Sequence, residues 1–309
     1  MSEDLVRAAT ETIARGSKSF AAAARLFDRP TRESAVMLYA WCRHCDDVVD
    51  DQEFGFSARE GASREPQARL AELEARTCSA LAGEPQTVPA FAALQEVARR
   101  HGIPERYPLQ HLAGFRMDLE ERRYGTIEDT LDYAYHVAGV VGVMMAHIMG
   151  VRDPAVLDRA SDLGIAFQLT NIARDIVDDA ATGRTYLPAA WLREAGIPPG
   201  EVAEPRHRAA LAKVAARLID LAEPYYASAR IGVAALPPRS AWAIATAHGV
   251  YRQIGIEVRR RGARAWDARV STSKLQKLGQ VVRGGATALM TRIASPGPAP
   301  RRGLYERPA

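Results

Sequence analysis

The chain has few cysteines, which limits the sites it can form. Only three occur among 309 residues, and two of them, Cys42 and Cys45, are separated by two residues. Three is an odd number and too few for the disulfide framework of a small secreted protein. The Cys42/Cys45 spacing imitates half of a zinc or redox site, but no second pair accompanies it. We therefore predict that these cysteines are buried small side chains.

Long apolar runs are also missing. The longest candidate, residues 137–151, is shorter than a membrane span and includes His147. The first residues show no basic segment followed by an apolar run, which a signal peptide would have. These features predict a cytoplasmic protein without a transmembrane helix.

No long segment alternates apolar and polar residues as a half-buried strand does, whereas helical spacing recurs throughout. We predict an all-α fold with a polar loop over 52–65. The predicted helices cover residues 31–51, 66–82, 89–101, 105–124, 127–150, 154–181, 206–235, 238–262 and 272–292. Without an internal repeat or linker, residues 1–294 form one predicted domain. Residues 295–309 contain four prolines and are predicted to be a disordered tail.

The first of these helices ends in a dense acidic run, residues 46–51, in which four of six residues are aspartate. Residues three and four apart share a helix face, so one side of this helix carries Tyr39, Arg43, Asp46 and Asp50. Unpartnered carboxylates at this spacing repel one another and need water or cations nearby. A lone acidic run of this kind is more typical of a solvated helix end.

A second acidic helix, in residues 154–181, changes that interpretation. Its polar face carries Gly164, Gln168, Asn171, Asp175 and Asp179, opposite an apolar stripe of isoleucines and leucine. The face offers only oxygen ligands, which suit Mg²⁺, with Mn²⁺ as an alternative, better than zinc. Two such helices facing each other would hold a diphosphate through bridging metal ions, because carboxylates alone repel phosphate.

Loss of a metal-bound diphosphate leaves a carbocation, which must be kept from water in an apolar, closed cavity. Residues 137–146 supply apolar surface, and Gly139 and Gly142 within them would allow close approach of a substrate chain. Ordinary helix packing explains each of these residues equally well.

Four ordered motifs resemble the squalene/phytoene synthase family. They are residues 16–20, residues 39–50, residues 133–142, and residues 171–179 with the following 183–188. The resemblance extends from Gly16 to about Arg260. It implies a class I isoprenoid synthase fold, a helical bundle around a central cavity. Many relatives carry histidine where Gly16 stands, so a histidine contact from that position is absent.

The resemblance also implies roles for individual residues. Asp46 and Asp50 would face metal ions across the cavity from Asn171, Asp175 and Asp179, and the four aspartates would be catalytic together with Tyr133. Tyr133 and Gln168 would border the reacting carbons. The implied substrate-binding residues are Ser17, Ser19, Phe20, Tyr39, Arg43, Gln168, Arg174 and Tyr251. Arginine suits this duty because its planar fork pairs with phosphate oxygens.

The implied activity is the head-to-head condensation of two geranylgeranyl diphosphates, by way of prephytoene diphosphate, to 15-cis-phytoene and two diphosphates. No dinucleotide-binding glycine turn is present, so no NAD(P)H is expected. The proton acceptor stays open between released diphosphate and a cavity tyrosine. The alternative is a squalene or dehydrosqualene synthase that uses farnesyl diphosphate. We prefer phytoene because both acidic motifs look most like those of bacterial phytoene synthases.

Basic residues are in slight excess, with a net charge of +4 and a pI near 9.0. Nucleic acid is not the expected partner, because interleaved aromatics are scarce and the acidic faces repel phosphate. A non-catalytic binding module is disfavoured because both acidic motifs are complete. We predict weak attachment of Arg259, Arg260 and Arg261 to anionic lipid on the inner face of the membrane. The oligomeric state is not predicted.

Overall fold

The computed structural model describes residues 2–16, 18–49, 52–53, 57–58, 65–120, 122–293 and 301–308. Its helices are α1 (Ser2–Gly16), α2 (Lys18–Ala24), α3 (Arg29–Val49), α4 (Pro66–Leu81), α5 (Pro89–His101), α6 (Arg106–Leu119), α7 (Ile127–Ala134), α8 (Val140–Ile148), α9 (Pro154–Ala181), α10 (Ala189–Glu194), α11 (Arg208–Gly232), α12 (Pro238–Arg261) and α13 (Lys274–Ile293). The all-α prediction is confirmed.

Two short strands interrupt the predicted polar loop. β1 (Gln52–Glu53) and β2 (Ser57–Ala58) pair antiparallel over two residues each. A pair this short has no hydrophobic face of its own, so it adds no sheet layer to the fold. None of the described helices is both long and apolar enough to cross a bilayer.

Local signals explain where the helices begin and end. The Asp153 carboxylate accepts a hydrogen bond of 2.9 Å from the Ala155 amide, and Pro154 fixes the first turn of α9. Gly102 ends α5 in the left-handed conformation, with φ at +57°. The predicted helix over 127–150 differs from the structure. It is divided by a π-helical segment, Tyr135–Gly139, and ends at Ile148.

Helix α9 lies at the centre of the bundle, where it packs against α8, α11 and α12. Its side chains Ile165, Leu169 and Ala173 are completely buried. Because much of α9 runs through the core, those of its charged and amide residues that are buried must either find partners or face an internal cavity.

Glycines let α9 approach the α7–α8 region very closely. A Cβ added at Gly142 would overlap the carbonyl oxygen of Ala160, and one added at Gly164 would overlap the carbonyl oxygen of Ala138. The expectation that Gly139 admits a substrate chain needs correction, because a methyl group there would press against Ser161 and Tyr135. Gly142 admits neighbouring protein as well, and it also lines an internal cavity, so for this glycine the expectation stays a prediction.

The C-terminal segment 301–308 is packed onto the bundle, in contrast to the expected disorder of 295–309. Arg301 forms a bidentate ion pair with Asp162, at 2.7 and 2.8 Å. Tyr305 donates a hydrogen bond of 2.7 Å from its hydroxyl to Asp132, and Arg307 pairs with Asp158 at 2.5 Å. Asp162 is completely buried, and Asp132 and Asp158 are half-buried. These three partners hold the segment, which we call the C-terminal clasp. Residues 294–300 and 309 of the predicted tail lie outside the described residues.

Candidate active site

A cavity of about 690 Å³ opens between α3, α6, α8, α9, α11 and α12. One end is lined by acidic and basic side chains of α3 and α9, and the other is lined mainly by aliphatic side chains. Because α9 contributes residues from Val156 to Asp179, it spans about 34 Å along the cavity at 1.5 Å per residue. The cavity is therefore long, with a polar end and an apolar end.

At the polar end, arginines neutralise the carboxylates. Arg43 contacts Asp46 at 3.0 Å on the α3 side. On the α9 side, the Arg174 Nε donates to Asp175 at 2.8 Å. Arg269 reaches the same carboxylate at 3.2 Å, from the segment between α12 and α13. Two guanidinium groups thus share one aspartate, and together they balance the negative charge of Asp175.

Two other acceptors at this end, on Asp179 and Asn171, bear on cation binding. Burial, and then the charge of Asp175, raise the pKa of Asp179 to about 7. The Oδ1 atom of Asn171 is buried and has no hydrogen-bond partner among the described residues. Asn171, Asp175 and Asp179 line the cavity from successive turns of α9, and their carboxylate and amide oxygens are chemically suited to a hard cation such as Mg²⁺.

Within the described ranges, no three His, Cys, Asp or Glu side chains converge into a ready-made metal cage. The acidic lining groups instead stand on separate helices, α3, α6 and α9, around one cavity. Magnesium commonly binds through one or two carboxylates together with substrate phosphates, so this separation fits a metal shared with a phosphorylated ligand.

The apolar end is built from the C-terminal part of α8, the first half of α9 and the α11–α12 region. Its aliphatic lining includes Met145, Met149, Val156, Leu163, Leu236 and Ile244. These side chains carry no charge, so this end can accept hydrocarbon. Arg159 also lines the cavity from the first half of α9 and donates a hydrogen bond of 3.1 Å to the Ser228 hydroxyl.

Tyr133 and Tyr186 form an aromatic wall. Their rings stack with centroids 4.5 Å apart, and the Tyr133 hydroxyl donates to Asp118 at 3.1 Å. Burial first, and then the Asp118 carboxylate, raise the pKa of Tyr133 well above its usual value. Tyr133 is therefore a neutral phenol, whose ring face can stabilise a nearby cation.

The two neighbouring cysteines do not form a reactive site. Cys45 is buried and Cys42 half-buried on α3. Burial raises the pKa of both thiols, which disfavours the thiolate that metal binding or redox chemistry needs. The prediction of a buried side chain is confirmed for Cys45.

Most of the residues predicted for the site line this single cavity. They are Phe20, Tyr39, Arg43, Asp46, Tyr133, Gln168, Asn171, Arg174, Asp175, Asp179 and Tyr251. Ser17 and Asp50 lie outside the described residues, as does the side chain of Ser19. The structure gives the positions of these residues around the cavity, and their roles in binding and catalysis stay predictions.

The sequence did not single out eight of the polar or aromatic lining residues. They are His111, Phe115, Asp118, Arg159, Phe167, Arg184, Tyr186 and Arg269. Arg184 and Tyr186 lie in the 183–188 motif, so that motif could have identified them. Arg269 had no comparable signal, because its partner Asp175 is 94 residues away in the chain.

The fold and the cavity together define an all-α protein with carboxylates at one end of a long internal pocket and hydrocarbon at the other. A squalene/phytoene synthase profile matches residues 13–276. The chain belongs to the squalene/phytoene synthase family.

Individual relatives agree with this assignment. A phytoene synthase of Pseudescherichia vulneris is 58% identical over 97% of both chains. A 15-cis-phytoene synthase of Pantoea ananas is 56% identical over 98% of both chains. Among solved structures, a dehydrosqualene synthase in complex with a ligand superposes with a TM-score of 0.83 at 25% identity. The match covers 94% of this chain and 98% of that one.

Proposed function

We propose that this protein is a prenyltransferase of carotenoid biosynthesis that condenses two geranylgeranyl diphosphates head to head to 15-cis-phytoene. The observation that carries the proposal is one cavity with aspartates from two helices at its polar end and aliphatic side chains at the other. The near-full-length relatives at 53–58% identity, which are named phytoene synthases, support the choice of product.

Mg²⁺ is the metal that we propose for the polar end. Asp46 would hold it from α3, with Asp50 as the predicted second ligand, and Asn171, Asp175 and Asp179 would hold it from α9. When bound, the metal supplies the positive charge that lets diphosphate lie beside carboxylates and leave as an anion. The orphaned Asn171 oxygen and the elevated pKa of Asp179 support this assignment.

The arginines have a second task in this proposal. Arg174 and Arg269 pair with Asp175, and Arg43 pairs with Asp46 and Asp47. With a cation held by the carboxylates, these guanidinium groups would be available to phosphate oxygens, with which each could form two hydrogen bonds. Ser17, Ser19 and Tyr251 remain predicted diphosphate contacts.

The rest of the cavity would bind the hydrocarbon part of the substrate. Its aliphatic end holds the prenyl chain and excludes water, so a carbocation meets the second substrate instead of being hydrolysed. The stacked rings of Tyr133 and Tyr186 face the cavity and can stabilise that cation. Because Tyr133 stays neutral and donates to Asp118, released diphosphate is the simpler proton acceptor.

Substitution of Asp175 by asparagine tests the metal-binding face. We expect Asp175→Asn to lower turnover by about a hundredfold or more, because a charged metal ligand is lost. Asp178→Asn is the matched control, since Asp178 is exposed on the same helix and does not line the cavity. Its turnover should stay within about threefold of wild type, as expected for an exposed side chain. Equal turnover in the two variants would refute the assignment of Asp175.

Product analysis tests the substrate. Purified protein is incubated with labelled farnesyl or geranylgeranyl diphosphate and Mg²⁺, with and without a reduced nicotinamide. We expect a forty-carbon product from geranylgeranyl diphosphate, unchanged by the nicotinamide, and loss of product with a chelator. A thirty-carbon product from farnesyl diphosphate alone would overturn the phytoene assignment in favour of a dehydrosqualene or squalene synthase.

We further propose that the reaction takes place in the cytoplasm at the inner face of the membrane, because substrate and product dissolve poorly in water. The structure bears on how the protein would attach. Arg259 contacts Asp220, and Arg260 and Arg261 both pair with Glu257, at 2.7 and 2.8 Å. Carboxylates thus partly balance the charge of the three arginines that we predicted for attachment.

A further inference from the structure

Helix α13 carries an exposed apolar face. Of the seven large apolar side chains that are exposed among the described residues, six lie on this one helix. They are Leu275, Leu278, Val282, Leu289, Met290 and Ile293, with exposed fractions of 60–79%. Single exposed apolar side chains are ordinary, but a set concentrated on one helix marks an interaction surface.

The rotation of the helix gathers five of these six residues into one stripe, and Met290 lies about 80° from Val282. At 100° per residue, Leu275, Leu278, Leu289 and Ile293 all lie within about 40° of Val282 around the axis. The stripe is about 27 Å long from Leu275 to Ile293 at 1.5 Å per residue. The opposite side of the helix, with Gly284 and Ala288, is buried against the protein.

Only cations accompany the stripe. Lys274 and Arg292 lie at one of its edges and Arg283 at the other, each about 80–100° from Val282. No aspartate or glutamate occurs between Asp267 and Glu306 in the sequence. An apolar arc bordered by basic residues is the pattern of a helix that lies in a membrane interface, with its cations at the lipid headgroups.

The protein holds α13 firmly against α12. The Trp242 indole donates a hydrogen bond of 2.8 Å to the Val281 carbonyl, and a Cβ added at Gly284 would overlap Thr246. Other residues of α12, including Ile244 and Tyr251, line the cavity. The stripe therefore lies one helix away from the cavity.

We infer that the α13 stripe docks on an anionic lipid surface. Aliphatic side chains would enter the interface, while Lys274, Arg283 and Arg292 would meet anionic headgroups. A second copy of the chain fits less well, because pairing two such helices would bring cations together without a carboxylate on either helix. Arg259, Arg260 and Arg261 are less suited than the stripe, since each already has a carboxylate partner.

Vesicle flotation tests this inference without any measurement of turnover, so its outcome is independent of the proposed activity. The purified full chain is mixed with vesicles of phosphatidylglycerol and phosphatidylcholine, or of phosphatidylcholine alone. The stripe variant is Leu278→Ser/Val282→Ser/Leu289→Ser. The matched control is Arg259→Gln/Arg260→Gln/Arg261→Gln, which changes as many residues on the neighbouring helix. Circular dichroism checks that both variants fold.

We expect wild type to float with the anionic vesicles and not with the neutral ones. The stripe variant should bind at least about tenfold less, because three apolar anchors are lost. The arginine variant should bind within about threefold of wild type, since its cations are already paired. A second variant, Lys274→Gln/Arg283→Gln, keeps the apolar residues and should lose the preference for anionic lipid.

Three results would overturn the inference. One is a wild-type protein that does not float with anionic vesicles. Another is a stripe variant that floats as well as wild type while the arginine variant does not. The third is a wild-type dimer in sedimentation that the stripe variant dissociates, without lipid binding in either, which would make the stripe a subunit contact. If the stripe variant does not fold, the Lys274/Arg283 variant decides the question alone.

Discussion

Replacing Arg301 with methionine measures how strongly the C-terminal clasp holds the bundle. Arg301 is 17% exposed and donates two hydrogen bonds to Asp162, which is completely buried, and a third to the Tyr305 carbonyl. Methionine keeps much of the apolar stem but leaves this carboxylate with Ser228, which donates a hydrogen bond of 2.5 Å, and without its guanidinium partner. Breaking a buried pair from one side destabilises a protein by about 3–5 kcal/mol.

That free energy predicts a clear change in thermal stability. At about 2.1 cal/mol/K per residue, a chain of 309 residues has an unfolding entropy near 0.65 kcal/mol/K at its midpoint. Arg301→Met should therefore lower the Tm by about 5–8 °C, measured by circular dichroism. Arg302→Met is the matched control, because Arg302 is exposed beside it, and should stay within about 1 °C. If the Tm of Arg301→Met matched that of the control, the conclusion that the C-terminal clasp stabilises the bundle would be refuted.

The cavity and the core give two further predictions. Gly164→Ala should lower the free energy of unfolding by about 1–3 kcal/mol in a urea titration, because the added Cβ would overlap the Ala138 carbonyl. Gly279 is exposed, so the control Gly279→Ala should not destabilise the protein. Burial lowers the pKa of His111 to about 4, so between pH 4 and 6.5 the unfolded chain binds more protons and stability falls as the pH drops. From pH 7 to 5, His111 accounts for a loss of about 2 kcal/mol in the free energy of unfolding. His111→Phe should reduce the pH dependence of that free energy by the same amount. An unchanged pH dependence would contradict a buried neutral imidazole.

Local chemistry made part of the fold predictable. The bounds of α9 and α5 follow from a proline at the first turn of each helix, an aspartate cap before α9 and a glycine after α5. The site was predictable for a similar reason, since carboxylates three or four residues apart share a face wherever the helix lies. That periodicity located Asp175 and Asp179 on the cavity side of α9.

Structural features that depend on contacts between residues far apart in the chain could not be predicted from local sequence. Composition indicated a disordered C-terminal tail, because its prolines are visible in sequence but the buried partners of Arg301 and Arg307 are not. Arg307 contacts Tyr107 across 200 residues of chain. The short helix α10 and the π-helical segment 135–139 escaped prediction as well, since neither is long enough to show a helical period of its own.

The clasp also has a consequence for biosynthesis. Asp162 precedes Arg301 by 139 residues, so at about 5–20 residues per second the ribosome delivers the acidic partner roughly 7–28 s before the basic one. During that interval the central helix holds a carboxylate whose guanidinium partner has not yet been made. Stable closure of the bundle around α9 therefore waits for nearly the whole chain to emerge, which leaves this helix without its C-terminal partner for a little under half of synthesis.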